Sequence, residues 1–152
     1  MDLITILFVV IFVALVGLLI RYFFFSQPKK IGARGAEIKA LNHILAGEKK
    51  QALQQLSDIA HSDTSNHGAF LQVGDLYRQL GNPEQAIIVH EDVLNRQGIG
   101  QDFLLMAHER LAKDYEAMKQ YPQAVQHAEA ILKLKKKDTW AIKALHRFAV
   151  KQ

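Results

Sequence analysis

Residues 76–96 read LYRQLGNPEQAIIVHEDVLNR, and this stretch decides the fold. It carries the end of one helix, a three-residue break and the start of a second helix. Gly81 is the stop, Asn82 the cap and Pro83 an early helical position where a missing N–H costs nothing. Ala86 is small where the second helix must pass the first, and His90, Val93 and Leu94 continue that helix's inward face. Upstream, Phe70, Val73, Gly74 and Tyr77 fall at i, i+3, i+4 and i+7, one face of a first helix. Gly74 is the small residue that lets the second helix approach, and Gly81 ends the pair's first member.

The same arrangement recurs in both directions. Ala52 follows Gly47 by five residues, Ala86 follows Gly81 by five, and Ala124 follows Lys119 by five. Ala52 and Ala86 are 34 positions apart; Ala86 and Ala124 are 38 apart, an excess of four that the loop QGIGQD at 97–102 is expected to absorb. In the third unit His108, Leu111, Ala112 and Tyr115 repeat the first pattern, and Tyr121, Ala124, Ala128, Ile131 and Leu132 repeat the second. The first unit keeps Ala52, Leu56 and Ile59, with Ala36, Ala40 and His43 as a poorer first helix. TWAIKALHRFAV at 139–150 supplies one more helix, with Trp140, Ile142, Leu145 and Phe148 to cover the open end. A period of 34 in helix–turn–helix units is the tetratricopeptide pattern. The expected packing residues are Gly74, Tyr77, Gly81, Ala86, Ala112, Tyr115 and Ala124.

The N-terminus reads differently. LITILFVVIFVALVGLLI at 3–20 is apolar enough and long enough to span a bilayer as a helix. Arg21 and the aromatic run Tyr22-Phe23-Phe24-Phe25 stand where a membrane interface belongs. The acidic start Met1-Asp2, the long apolar core and the bulky exit argue against a cleaved signal peptide. Arg21, Lys29, Lys30 and Arg34 follow the span and none precedes it, so the positive-inside rule puts the remainder in the cytoplasm. The expected organisation is a single-pass anchor at 1–25 touching lipid through 3–25, a basic linker at 26–33 and a repeat domain at 34–152. The fold class is therefore all-α: one transmembrane helix, then a short solenoid of about three helix pairs plus a capping helix.

Chemistry is sparse. Of 152 residues none is Cys, which excludes disulfides, thiolate zinc sites and iron–sulfur clusters within this sequence. The seven His residues lack metal-ligand spacing: His43, His90 and His108 fall on inward positions, and His61, His67, His127 and His146 near helix ends or polar faces. Phosphate-loop, dinucleotide and nucleophile-elbow motifs are missing. Neither catalysis, cofactor, metal nor small-molecule substrate is expected. The basic run KLKKKD at 133–138 sits at a helix C-terminus, where cations are favoured, and lacks the aromatics a nucleic-acid surface would need.

What remains is the inner face of the stack, lined by the first helix of each pair. Its expected exposed positions are Leu71, Asp75, Arg78 and Gln79 in the middle unit and Met106, Glu109, Lys113 and Glu116 in the third; Glu37, Leu41 and Ile44 come from the first. The mixture lacks the Lys and Asn cluster that clamps a peptide's terminal carboxylate, so it fits a helix or extended segment of a protein partner.

GNPEQAIIVHEDVLNRQGIGQDFLLMAHERLAKDYEAMKQYPQAVQHAEAILKLKKKD at 81–138, above all the connection RQGIGQDFLLMAHERLAKDYEAMKQY at 96–121, resembles the lipopolysaccharide assembly protein B family. The resemblance implies one N-terminal span, a short basic cytoplasmic linker and a tetratricopeptide domain at the bacterial inner membrane. It also implies a regulatory scaffold connecting a membrane AAA protease to lipopolysaccharide synthesis. Members of that family continue through further repeats into a rubredoxin-type domain held by four cysteines, which has no counterpart among these residues. The competing expectation is an accessory or assembly subunit of an inner-membrane complex, respiratory or cytochrome-maturing.

Overall fold

A computed structural model of the chain describes residues 12, 15–17 and 33–151. The chain divides into two compact units, Met1–Gly32 and Ala33–Gln152. In the first, residues 12 and 15–17 are helical, with Phe12, Leu15 and Val16 exposed. The span expected over 3–25 otherwise lies outside the described residues, and among those described no helix is long and apolar enough to cross a membrane.

The second unit is built of helices alone among its described residues: α1 (Ala33–Leu45), α2 (Lys49–Ser62), α3 (His67–Gln79), α4 (Pro83–Leu94), α5 (Gln101–Ala117), α6 (Tyr121–Leu134) and α7 (Thr139–Ala149). Three hairpins, α1–α2, α3–α4 and α5–α6, are closed by the same device. In the middle one the Asn82 N–H bonds the Tyr77 carbonyl and the Gly81 N–H that of Arg78. Glu48 and Gly47 make the matching bonds to His43 and Ile44, and Gln120 and Lys119 to Tyr115 and Glu116. This paired bonding needs one residue with left-handed backbone. Gly47 and Gly81 supply it at φ +77° and +85°, and Lys119 occupies the same slot at φ +59°. Asn82 stands before α4, but its side chain makes no capping bond. The working side-chain caps are Asn66 and Asp138, accepting from the Ala69 and Ala141 N–H groups.

Helix starts recur at 34 residues from α1 to α3 to α5, and at 38 from α5 to α7. The four extra residues do not sit in the 97–102 loop, as the sequence spacing predicts. They lengthen α5, which has 17 residues where α3 has 13. Four residues are close to one 3.6-residue turn, so the inward face keeps its phase through the insertion.

The core runs along the stack in three clusters. Ala40, Ala52, Leu56, Ile59, Ala69, Val73 and Leu76 join α1, α2 and α3. Leu71, Val93 and Ala107 join α3, α4 and α5. Ala112, Ala124, Ala128, Ala144 and Phe148 join α5, α6 and α7. Ala86, Ala112 and Ala124 are fully buried where helices cross. Phe148 of α7 closes the last cluster, whereas Ile142, expected to share that task, is 41% exposed.

Candidate protein-binding face

The odd-numbered helices lie side by side and their shared surface is tied together by polar side chains. Asn66, at the head of α3, donates to Glu37 of α1 (3.0 Å). Between α3 and α5, Asp75 accepts from Arg78 at 2.6 Å and from Arg110 at 2.8 Å. Between α5 and α7, Glu116 accepts from Arg147 and Lys151, each at 2.9 Å. Lys113 pairs with Glu109 at 2.6 Å, and its ammonium stands over the Trp140 ring at 5.5 Å. Arg78, Arg110, Lys113, Arg147 and Lys151 thus face the carboxylates of Asp75, Glu109 and Glu116, leaving this ion-paired belt with a net +2. Burial pushes the Glu116 carboxyl up, but the bonds from Arg147 and Lys151 outweigh it and hold the group below the ordinary carboxylate range.

Beneath the belt is a buried polar pair. Asp114 is fully buried and accepts from Arg78 at 3.3 Å. Its other oxygen lies 2.6 Å from His90 Nδ1, and His90 Nε2 lies 3.1 Å from the Leu71 carbonyl. A carbonyl only accepts, so Nε2 carries a proton; the Nδ1 contact to a carboxyl oxygen needs a second. With two protons the pair is neutral overall, whichever atom holds the shared one. Burial raises the Asp114 carboxyl's pKa, opposed by the His90 bond and by the charges of His90 and Arg78. The repeat register explains the location: Asp114 falls 38 positions after the buried Leu76, and His90 falls 38 before the buried Ala128. Two polar residues here stand where neighbouring repeats carry apolar ones.

The sequence-predicted face residues divide. Asp75 and Arg78 are half-buried members of the network, Gln79 and Met106 are exposed, and Glu109, Lys113 and Glu116 are half-buried ion-pair partners. Leu71 is a correction: it is 1% exposed and packs with Val93 and Ala107. It lies one position before the exposed Gln72, so α3 turns Leu71 into the seam with α4 and α5 and leaves Gln72 on the open face. Ile44 is likewise drawn onto the first core cluster. Arg110, which joins the network, escaped the sequence reading although it stands 38 positions after Gln72.

The α1 end of the face is apolar. Between α1 and α3 a cavity of about 520 Å³ is lined by Ile38, Leu41, Leu56 and Ala69, with Glu37, Asn66 and Gln72 among its polar walls. A shallower cavity of about 310 Å³, lined by Ile142, Leu145, His146 and Ala149, lies on the flank of α7 turned away from Arg147 and Lys151 and so outside this face.

On α6, His127 is half-buried rather than on a polar face. Its Nδ1 lies 3.0 Å from Nδ1 of His108, so one imidazole N–H donates to the other ring's nitrogen. Tyr115 stacks on His127 and donates its hydroxyl to Glu91 of α4. Burial, helped by His108, pushes the His127 pKa down to about 4, and burial lowers that of His108. Among the described residues no three metal-ligating side chains converge.

This stacking of helical hairpins has known counterparts. The first tetratricopeptide domain of human RPAP3 aligns with TM-score 0.68 at 15% identity, over 80% of this chain and 92% of that one. A tetratricopeptide repeat protein from Parabacteroides merdae aligns with TM-score 0.64 at 18% identity, over 80% of this chain and 47% of that one. The fold is a tetratricopeptide-repeat solenoid. Another relative of the fold, the first such domain of Spaghetti (RPAP3), is bound to the HSP90 peptide SRMEEVD; it has TM-score 0.65 and 18% identity over 78% of this chain and 90% of that one. In sequence, the tetratricopeptide chain is 26% identical over 87 residues to the lipopolysaccharide assembly protein B of Escherichia coli. That match covers 57% of this chain and 22% of the relative, so the chain spans about a fifth of the length of the curated proteins it matches. No family model matches it.

Proposed function

We propose that this chain is a membrane-anchored scaffold that binds a protein partner beside the bacterial inner membrane, and that it is not an enzyme. The observation that carries the reading is the face shared by α1, α3, α5 and α7, where an ordered charged belt lies beside the apolar α1–α3 cavity. The positions assigned to binding are Asp75, Arg78, Gln79, Met106, Glu109, Lys113 and Glu116, with Arg110 added. The apolar run at 3–20, with its exposed side chains at 12, 15 and 16, supports an anchor, and the basic cluster after it supports a cytoplasmic repeat domain. An anchor raises the local concentration of the domain near membrane partners. Organisation into an anchor at 1–25, a linker at 26–33 and a repeat domain at 34–152 belongs to this proposal. The similarity to lipopolysaccharide assembly protein B favours an envelope-lipid pathway as the setting.

The test is gentle detergent extraction from native membranes, capture through a C-terminal tag and mass spectrometry. Recovery of a membrane protease or lipopolysaccharide enzymes, lost on Arg110→Glu, supports the reading. A stoichiometric set of respiratory or cytochrome-maturation subunits would make the chain an accessory part of that complex instead. Recovery of the chain alone would overturn both.

A further inference from the structure

Helix α7 occupies the place of the first helix of a fourth pair. Ile142, Leu145, His146 and Ala149 fall 34 positions after His108, Leu111, Ala112 and Tyr115, which fall 38 after Phe70, Val73, Gly74 and Tyr77. In both earlier pairs this stripe meets the second helix of its own pair. Gly74 is met by the His90 ring of α4, and Phe70 packs with Val93. His108 and Tyr115 reach His127 of α6, and Ala112 packs with Ala124 and Ala128.

No described helix covers the stripe on α7. Ile142, His146 and Ala149 are exposed, Leu145 is half-buried, and the four line the cavity of about 310 Å³. The stack uses the other side of the helix, where Ala141, Ala144 and Phe148 are fully buried. A helix that only finishes a repeat stack carries a polar outer face. Here three of the four outward residues are apolar, at the spacing of a stripe that packs on another helix.

We infer that this flank of α7 binds an amphipathic helix of a partner protein, which completes the fourth pair as α4 completes the second and α6 the third. The helix lies antiparallel to α7 and sets a small residue, Gly or Ala, against His146. The earlier pairs give the reason. The same crossing pairs Gly74 with His90, and Ala112 with Ala128, so one side is small each time. His146 is the bulky side here, and the small side falls to the partner. A second copy of α7 does not fit, because it would bring its own Leu145 or His146 to the crossing. The site is separate from the charged face and does not rest on it.

The experiment uses the full chain in detergent micelles. The probe is a fluorescent peptide with the α6 sequence Tyr121–Leu134, held helical by a lactam between the exposed Glu129 and Lys133. Fluorescence anisotropy should show saturable binding. Ile142→Asp should weaken it about tenfold or more, and Arg110→Glu should leave it within about twofold. Ala128→Leu in the peptide should weaken binding about tenfold, and His146→Ala in the chain should restore it, because the bulk has changed sides. Circular dichroism checks that each variant folds. Absence of binding, or binding indifferent to Ile142 and His146, would overturn the inference. Self-association of the chain that Ile142→Asp abolishes would also overturn it, by making the occupant a second copy. None of these outcomes bears on the charged face, which is tested separately by Arg110→Glu in the membrane capture.

Discussion

The imidazole of His90 occupies the space that any side chain at Gly74 would need. A Cβ built on Gly74 would meet three His90 ring atoms closer than real Cβ atoms approach anything. Helix α4 therefore reaches α3 through the Nε2 edge of a ring set against bare backbone, and that ring continues to Asp114 on α5. One contact thus links three helices of successive repeats.

Gly74→Ala should cost about 1–3 kcal/mol, the usual toll of overpacking a closed site. The cost should shrink in a His90→Ala background, because the obstructing ring is gone. Urea denaturation of the four proteins of this cycle measures the coupling. Additive losses would mean that the two residues do not meet.

Removing the other end of the link is more damaging. Asp114→Ala leaves His90 and Arg78 without their shared acceptor in a fully buried position. A loss of about 3–5 kcal/mol is expected. A double replacement of His90 and Asp114 by apolar residues should recover much of it, since neighbouring repeats fill these positions with Ala128 and Leu76. Thermal unfolding of the single and double variants decides it.

Stability should fall on acidification through the His108–His127 pair. The folded-state pKa of His127 is depressed from 6.5 to about 4, so its contribution is present above pH 6.5 and is lost as pH falls toward 4. The full depression would be worth roughly 3 kcal/mol; partial exposure reduces the expectation to about 1–2 kcal/mol. His127→Gln should flatten that part of the urea-midpoint profile between pH 7 and 4.5. An unchanged slope would show that the ring does not titrate as its burial requires.

Lys119 pays a conformational cost that Gly47 and Gly81 avoid in the equivalent slot. Lys119→Gly should raise stability by about 1 kcal/mol, because left-handed backbone is strained for residues with a Cβ. The side chain is exposed, so little packing is lost. A drop in melting temperature would contradict this account of the turn.

These relationships differ in how openly the sequence displays them. Hairpin breaks are local, so Gly47, Gly81 and even Lys119 could be aligned from spacing to Ala52, Ala86 and Ala124. The all-helical repeat solenoid follows from that spacing and from one-face periodicity. Which side of a helix a residue takes is finer than periodicity resolves, and Leu71, one step from the open face, went into the seam. The extra turn of α5 is masked in the sequence because glycines at 98 and 100 advertise irregular backbone in the preceding loop. Asp114, His90, His108 and His127 meet across helices, and such pairings leave no mark on linear spacing. Comparing repeats position by position would have exposed Asp114, an acid in a Leu slot.

The most direct test of the central claim is site-specific photocrosslinking in native membranes. A photoreactive residue replaces exposed Met106 on the proposed binding face, or exposed Ile88 on α4 as the control. The account predicts one dominant protein adduct from position 106, diminished by Arg110→Glu, and none of that species from position 88. Equal adducts from both positions, or none from 106, would contradict it.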